Sequence, residues 1–191
     1  MSTYETILQR RTIRKFKQAA IPDQILEKFV NAARVSPSAG NLQPLEYVVV
    51  RNVELLEAVF KHLKWAAYTA PEGTPKENEK PAAYIIILAN NSIGSTNVPY
   101  DLGAAAMSIL LTAWEDGMGG CWIRACDKKG LKKLLGVSEA FDVDSVIALG
   151  YRDEAPVMEE NDTDVKYYKD KKGVLHVPKK STRTVTHWDQ F

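Results

Sequence analysis

The sequence predicts an α/β or α+β fold with one central sheet. Two observations carry this reading. Two apolar runs, Tyr47-Val48-Val49-Val50 and Tyr84-Ile85-Ile86-Ile87-Leu88, are continuous and rich in β-branched residues, as strands covered on both faces are, and Val143 to Leu149 reads as a third strand. Between them lie segments with helical apolar spacing, bounded by capping residues, glycines or prolines. Strands separated by helices give a sheet with helices packed on it.

The elements follow in order. Ser2 and Glu5 have capping-box spacing, so a first helix runs toward Gln9. Pro22 opens a second, whose apolar face is Ile25, Leu26, Phe29, Val30 and Ala33. It stops before Pro37, because the residue preceding a proline avoids helical angles. The first strand, Tyr47 to Val50, and a helix from about Val53 to Leu63 come next. Trp65–Pro81, with three prolines and many charges, reads as a long loop or lid. After the second strand, Asn97 or a neighbour starts a helix through Trp114 that is apolar on nearly every side, which suits a core or an interface. Gly117, Gly119 and Gly120 are expected to end it, and Cys121-Trp122-Ile123 to form a short strand. Asp127 caps a helix bearing Leu131, Leu134 and Leu135, closed by Gly136. From about residue 165 the chain changes character. Val165 to Tyr168 and Val174 to Val177 read as a hairpin joined through Gly173.

Length and composition narrow the function classes. The 191 residues fit one domain, 1–191, with the Trp65–Pro81 excursion and a C-terminal extension. A net charge of +1 gives no general argument for nucleic acid or membrane. No uncharged run is long enough to span a bilayer, and no basic-then-apolar leader is seen, so a cytoplasmic location is expected. Two cysteines and three scattered histidines (His62, His176, His187) make no metal-ligand spacing, and Cys121 and Cys126 read as inert thiols.

Two clusters carry chemistry. Arg10, Arg11, Thr12 and Arg14 offer planar donor forks and a hydroxyl, which suit a phosphate. In isolation they also read as a solvated helix end. Pro37-Ser38-Ala39-Gly40-Asn41-Leu42-Gln43-Pro44 is a short loop of small residues and amides that suits a polar ligand, or simply a helix stop and turn. No nucleophile–base pair accompanies them. The combination points to a phosphorylated organic cofactor that does the chemistry itself.

Order and spacing then matter. Arg-Arg-Thr-Ile-Arg-Lys-Phe (10–16) followed by Pro-Ser-Ala-Gly-Asn-Leu-Gln-Pro (37–44) resembles the opening of the FMN-dependent nitroreductase family. Gly-Met-Gly-Gly-Cys-Trp-Ile (117–123), Val-Ile-Ala-Leu-Gly-Tyr (146–151), Lys179-Lys180 and His187-Trp188 resemble its later motifs in the right order. The resemblance implies a nitroreductase-type α+β fold, with a mostly antiparallel central sheet flanked by helices. It implies an intertwined homodimer with FMN at the interface. Arg10, Arg11, Thr12 and Arg14, with Lys179 and Lys180, would hold the phosphate and ribityl chain. Pro37, Ser38, Ala39, Asn41 and Gln43 of the second chain would line the ring, and Ile123, Arg124 and Ala125 would pass its other face. No side chain of the protein is implied as a catalytic group. The implied activity is ping-pong transfer from NADH or NADPH to a small acceptor such as a nitroaromatic or quinone.

Three residues depart from the family pattern. Arg124 stands where an acidic or small residue is frequent, and is expected to favour an anionic acceptor; unchanged selectivity in Arg124→Ala would refute this. Arg152 and Ser181 each stand where proline is frequent, which leaves a turn and the path of Lys179 and Lys180 open. Two other functions remain open. One is reductive dehalogenation or flavin breakdown on the same fold, with the Trp65–Pro81 lid selecting the substrate. The other is a non-enzymatic flavin- or nucleic-acid-binding module that uses the basic tail.

Overall fold

Four antiparallel strands form the central sheet of the computed structural model, which describes residues 2–93 and 96–191. They are β1 (Leu45–Val50), β2 (Ala83–Asn90), β3 (Met118–Ile123) and β4 (Phe141–Tyr151), in the order β1-β2-β4-β3. The fold is α+β, as the sequence predicts. Side-chain parity along β2 explains its unbroken apolar run. Ala83, Ile85 and Ile87 pack with Leu26 and Phe29 of α2 (Asp23–Arg34) and Leu102 and Ile109 of α4 (Val98–Glu115). Tyr84, Ile86 and Leu88 pack on the other side with Val59 of α3 (Val53–Lys61) and Leu131 of α5 (Lys128–Leu134). Each buried isoleucine is worth about 1.5–3 kcal/mol of transfer free energy.

The helix boundaries follow their caps. In α1 (Thr3–Gln9), Glu5 N–H donates to Ser2 Oγ at 3.3 Å and Ser2 N–H to Glu5 Oε2 at 2.7 Å, the expected capping box. Pro22 occupies the cap position just outside α2. Asp127 Oδ1 accepts Gly130 N–H at 3.0 Å and starts α5. In α4, Leu102, Ala105, Ala106, Ile109, Leu110 and Ala113 are buried. Its opposite stripe, including Ala104, Met107 and Leu111, is only half-buried.

The glycine segment corrects one expectation. Gly117 (φ 77°) ends α4, but Gly119 and Gly120 lie inside β3. The cause is the N-terminal segment, which crosses β3 closely. Ile13 N–H donates to Gly120 O at 3.0 Å, and Thr12 pairs with Gly120 in parallel sense. A Cβ at Gly119 would meet the Ile13 side chain at 2.4 Å, and one at Gly150 would meet Phe16 at 2.7 Å. A two-stranded reading of the tail is also incomplete. The hairpin β6 (Tyr168–Lys169) and β7 (Leu175–Lys179) closes through Gly173 (φ 79°), but β5 (Val157–Glu160) adds parallel to β7. Residues 65–81 contain two short 3-10 turns, Ala67–Thr69 and Glu77–Glu79. Among the described residues no helix is long and apolar enough to cross a membrane.

His176 fastens the small sheet. It lies 3.1 Å from Glu159 of β5 and 3.4 Å from Asp170 in the turn, and its ring stacks on Tyr168 at 4.9 Å. The hydrogen bond to Glu159, then that to Asp170, hold its pKa above 6.5, against the opposing effect of burial.

Two tests follow from these contacts. A Cβ at Gly120 would meet Leu110 at 2.8 Å and the Ala148 carbonyl at 2.9 Å. Gly120→Ala is therefore expected to cost about 1–3 kcal/mol in urea unfolding. Because His176 has a raised folded pKa, its protonation stabilises the fold fully below about pH 6.5 and the gain is lost as pH rises through the folded value. The stability gap between wild type and His176→Gln should thus be widest in mild acid and shrink toward alkaline pH.

Candidate functional site

The arginine cluster begins where α1 ends. Arg10 is the C-cap, with its N–H on Thr6 O at 2.9 Å, and the extended segment after it runs along the outer edge of β3. Arg11 is 8 % exposed and donates to Leu8 O at 2.6 Å and to Arg10 O. Burial lowers the pKa of Arg10 and Arg11, and the Arg11 charge lowers that of Arg10 further. Two like charges thus sit side by side, partly out of water. The Nε atoms of Arg10, Arg11 and Arg14 are all buried without a hydrogen-bond partner among the described residues. Leaving one buried donor unpaired costs about 1–3 kcal/mol. Three within five residues fit a ligand with several anionic oxygens, as a phosphate has.

Arg14 is held from several sides. Its N–H and that of Lys15 donate to Glu154 Oε1, the latter at 3.2 Å. Its guanidinium lies 5.2 Å from the Tyr167 ring centroid. Burial pushes the Cys121 thiol up to about 11, with Arg14 opposing, which disfavours the thiolate. Cys126 is only half-buried, and burial raises its pKa too.

The second cluster is braced by strain and by one carboxylate. Asn41 (φ 54°) and Gln43 (φ 49°) adopt left-handed angles beside Gly40 (φ 57°). Such angles cost non-glycine residues of order 1–3 kcal/mol and recur at ligand sites. Ser38 Oγ accepts Gln43 N–H at 3.0 Å, and Asp101 Oδ1 accepts Ala39 N–H at 3.0 Å. Asp101 is 5 % exposed, and its Oδ2 is unpaired among the described residues. A cavity of about 230 Å³ opens there, lined by Pro37, Ser38, Gln43, Tyr47 and Asp101 among others. Burial pushes the Tyr47 phenol up to about 12, so it stays a neutral donor.

The two clusters are at opposite edges of one sheet. The arginines flank β3, whereas the 37–44 loop leads into β1. Three strand spacings, roughly 15 Å, separate those edges. Ile123 is buried at the end of β3. Arg124 beyond it is two-thirds exposed and lies 3.7 Å from Asp144, which also meets Lys128 at 3.5 Å. Its positive charge is therefore partly offset. Ala125 is exposed, and its carbonyl accepts Lys64 N–H at 2.8 Å. Lys179 and Lys180 are exposed at the end of β7, with no recorded contact to the arginines among the described residues. Ser181 supplies the turn there: its N–H and Oγ donate to Asp162 at 2.8 and 3.0 Å, and it caps α6 (Thr182–Val185). Arg152 is half-buried and lies over Trp114 at 3.9 Å, and burial lowers its pKa.

Two supporting residues escape a sequence reading, and a third is marked only faintly. Glu154 sits in a segment without periodicity and Tyr167 in the expected hairpin, each 140 or more residues from Arg14, the residue they hold. Asp101 does leave a signal, a carboxylate in the first turn of a helix whose next charged residue is Glu115 at its far end. Trp65 is buried against Phe60 at 5.6 Å, a packing role.

Comparisons place this arrangement among known proteins. Residues 7–151 match the sequence model of the nitroreductase family. A protein of Archaeoglobus fulgidus, provisionally named an NADH dehydrogenase/NAD(P)H nitroreductase, is 34 % identical over 166 residues, covering 82 % of this chain and 89 % of its own. The solved structure of an FMN-dependent nitroreductase from Clostridium difficile superposes with a TM-score of 0.71 at 25 % identity, covering 97 % of this chain and 98 % of its own. An iodotyrosine deiodinase of Thermotoga neapolitana is 23 % identical over 183 residues, covering 86 % and 96 %.

Replacing Asp101 tests the brace directly. Asp101→Ala strips the Ala39 N–H of its partner and is expected to cost about 1–3 kcal/mol in urea unfolding. Asp101→Asn, which keeps an accepting oxygen, should cost less.

Proposed function

The chain belongs to the nitroreductase family, and from that membership we propose that it is an FMN-dependent oxidoreductase, using NADH or NADPH to reduce a small acceptor such as a nitroaromatic or quinone. The observation that carries the reading is the set of three buried, unpaired guanidinium nitrogens at Arg10, Arg11 and Arg14. They fit a phosphomonoester, which presents several acceptor oxygens and a double negative charge. The names of the Archaeoglobus and Clostridium proteins agree with this choice of cofactor and donor.

Held there, FMN would supply the redox chemistry that links hydride donation by the nicotinamide to reduction of the acceptor. The chain's own residues bind and orient. Arg10, Arg11 and Arg14 hold the phosphate, with the Thr12 hydroxyl as a further donor and Lys179 and Lys180 closing from the C-terminal end. Pro37, Ser38, Ala39, Asn41 and Gln43 come from a second copy, because one protomer keeps that loop at the far edge of its sheet. The half-buried apolar stripe of α4 suits the contact between copies. Ile123, Arg124 and Ala125 pass the ring on the β3 side. Arg124 biases the site toward anionic acceptors to the extent that Asp144 leaves its charge free. A second reading, reductive dehalogenation, has the Thermotoga deiodinase likeness behind it and is read by halide release from aryl iodides.

Two measurements test the reading. Freshly purified protein should show flavin absorption bands that bleach on anaerobic addition of NADH or NADPH; a colourless protein that takes up no added FMN overturns it. Arg10→Ala should weaken FMN binding about 10- to 100-fold, as loss of a charged hydrogen bond does.

A further inference from the structure

We propose that Tyr167 is a positioning residue that ties closure of the 65–81 segment to the arginine cluster. The inference rests on the phosphate reading of Arg14. It starts from how that segment is fastened. Its C-terminal end is anchored to the arginine strand itself: Phe16 N–H donates to Glu79 O at 3.0 Å, and Lys15 pairs with Glu79 at 2.8 Å. The part around residues 66–74 has a different anchor, the small C-terminal sheet. The Tyr68 and Tyr167 rings meet at 5.0 Å, Tyr68 N–H points to Tyr167 Oη at 3.4 Å, and Lys169 Nζ donates to Glu72 O at 2.9 Å.

Tyr167 is the joint between the two systems. One neighbour of its ring is Tyr68; another is the Arg14 guanidinium at 5.2 Å. Between Arg14 and the segment lies a cavity of about 10 Å³, room for roughly one water, lined by Arg14, Thr69, Gly73, Glu154 and Lys169 among others. The segment is thus packed down over Arg14. Tyr68 contributes little else, since its side chain is largely exposed. A ring that holds both a segment and a cation makes their positions interdependent. Aromatic pairs and cation–π contacts are each worth a factor of several to about tenfold in such an equilibrium. By linkage, a phosphate that fixes Arg14 must then favour the closed segment, and closure must favour the phosphate. Closure would be set by cofactor loading rather than by the acceptor alone.

Hydrogen exchange of the 66–74 amides tests this in the full-length protein, without ligand and with saturating FMN. Without ligand, Tyr167→Ala should speed exchange there about tenfold, and Tyr167→Phe, which keeps the ring contacts and loses only the oxygen facing Tyr68 N–H, should restore the slow rate at the other 66–74 amides. With FMN, exchange should slow further in wild type and Tyr167→Phe, but not in Tyr167→Ala or Tyr68→Ala. FMN should also bind about tenfold more weakly to Tyr167→Ala. Unchanged exchange in ligand-free Tyr167→Ala overturns the proposal, as does full FMN protection of 66–74 in both alanine variants. If Tyr167→Ala does not fold, Tyr68→Ala, at an exposed position, decides by the same two readouts. A wild type that binds no FMN overturns the cofactor reading instead, and the ligand-free comparison still decides the tether.

Discussion

One backbone hydrogen bond orders the site end of this molecule: Ile13 N–H to the carbonyl of Gly120, 3.0 Å. It requires the N-terminal segment to lie against the edge of β3 with no side chain between. Gly119 and Gly150 provide that space, since a Cβ on either would strike Ile13 or Phe16. Once the segment is seated, Ile13 and Phe16 are driven into the core, and Arg10, Arg11 and Arg14 are left at the rim with their Nε atoms buried and without a hydrogen-bond partner among the described residues. The same docking covers an otherwise open strand edge, which would invite pairing with other chains.

The opposite edge of the sheet is organised by a different constraint. The left-handed angles at Asn41 and Gln43 persist because Ser38 and Asp101 fix the backbone around them. Asp101 belongs to the first turn of α4, and α4 also packs on α2 and carries the half-buried apolar stripe. One helix therefore braces the loop and carries an apolar stripe that its own chain leaves half-covered. A cofactor site assembled from both edges would couple dimer contact to cofactor binding, because the loop and the stripe are parts of one rigid frame.

Much of this was legible in the sequence, and the exceptions have physical causes. The unbroken apolar run marked β2, since burial on both faces leaves no alternation, but the similar run in β1 misled, because that strand lies at the sheet edge and is only half-buried, with Val49 exposed. Caps gave α1 and α5 their starts. Gly119 and Gly120 misled, because a glycine demanded by close approach of another backbone looks the same in sequence as one that ends a helix. β5, Val157–Glu160, lacks an apolar face, with its side chains mostly exposed, so no pattern marks it. Of the site, the two donor clusters were visible as motifs. Glu154, Tyr167 and the Ser181–Asp162 turn were not, because their roles arise only when distant segments meet.

The most direct measurement is flavin binding by a doubly tagged heterodimer of two defective chains. One carries Arg10→Ala and Arg14→Ala, the other Ser38→Ala and Asn41→Ala. If a second copy completes each site, the heterodimer holds one intact site and one doubly damaged site, and binds one FMN at wild-type affinity, while each variant alone binds weakly. A heterodimer that binds no better than the separate variants would show that both clusters must come from the same chain, and would contradict the two-edge site.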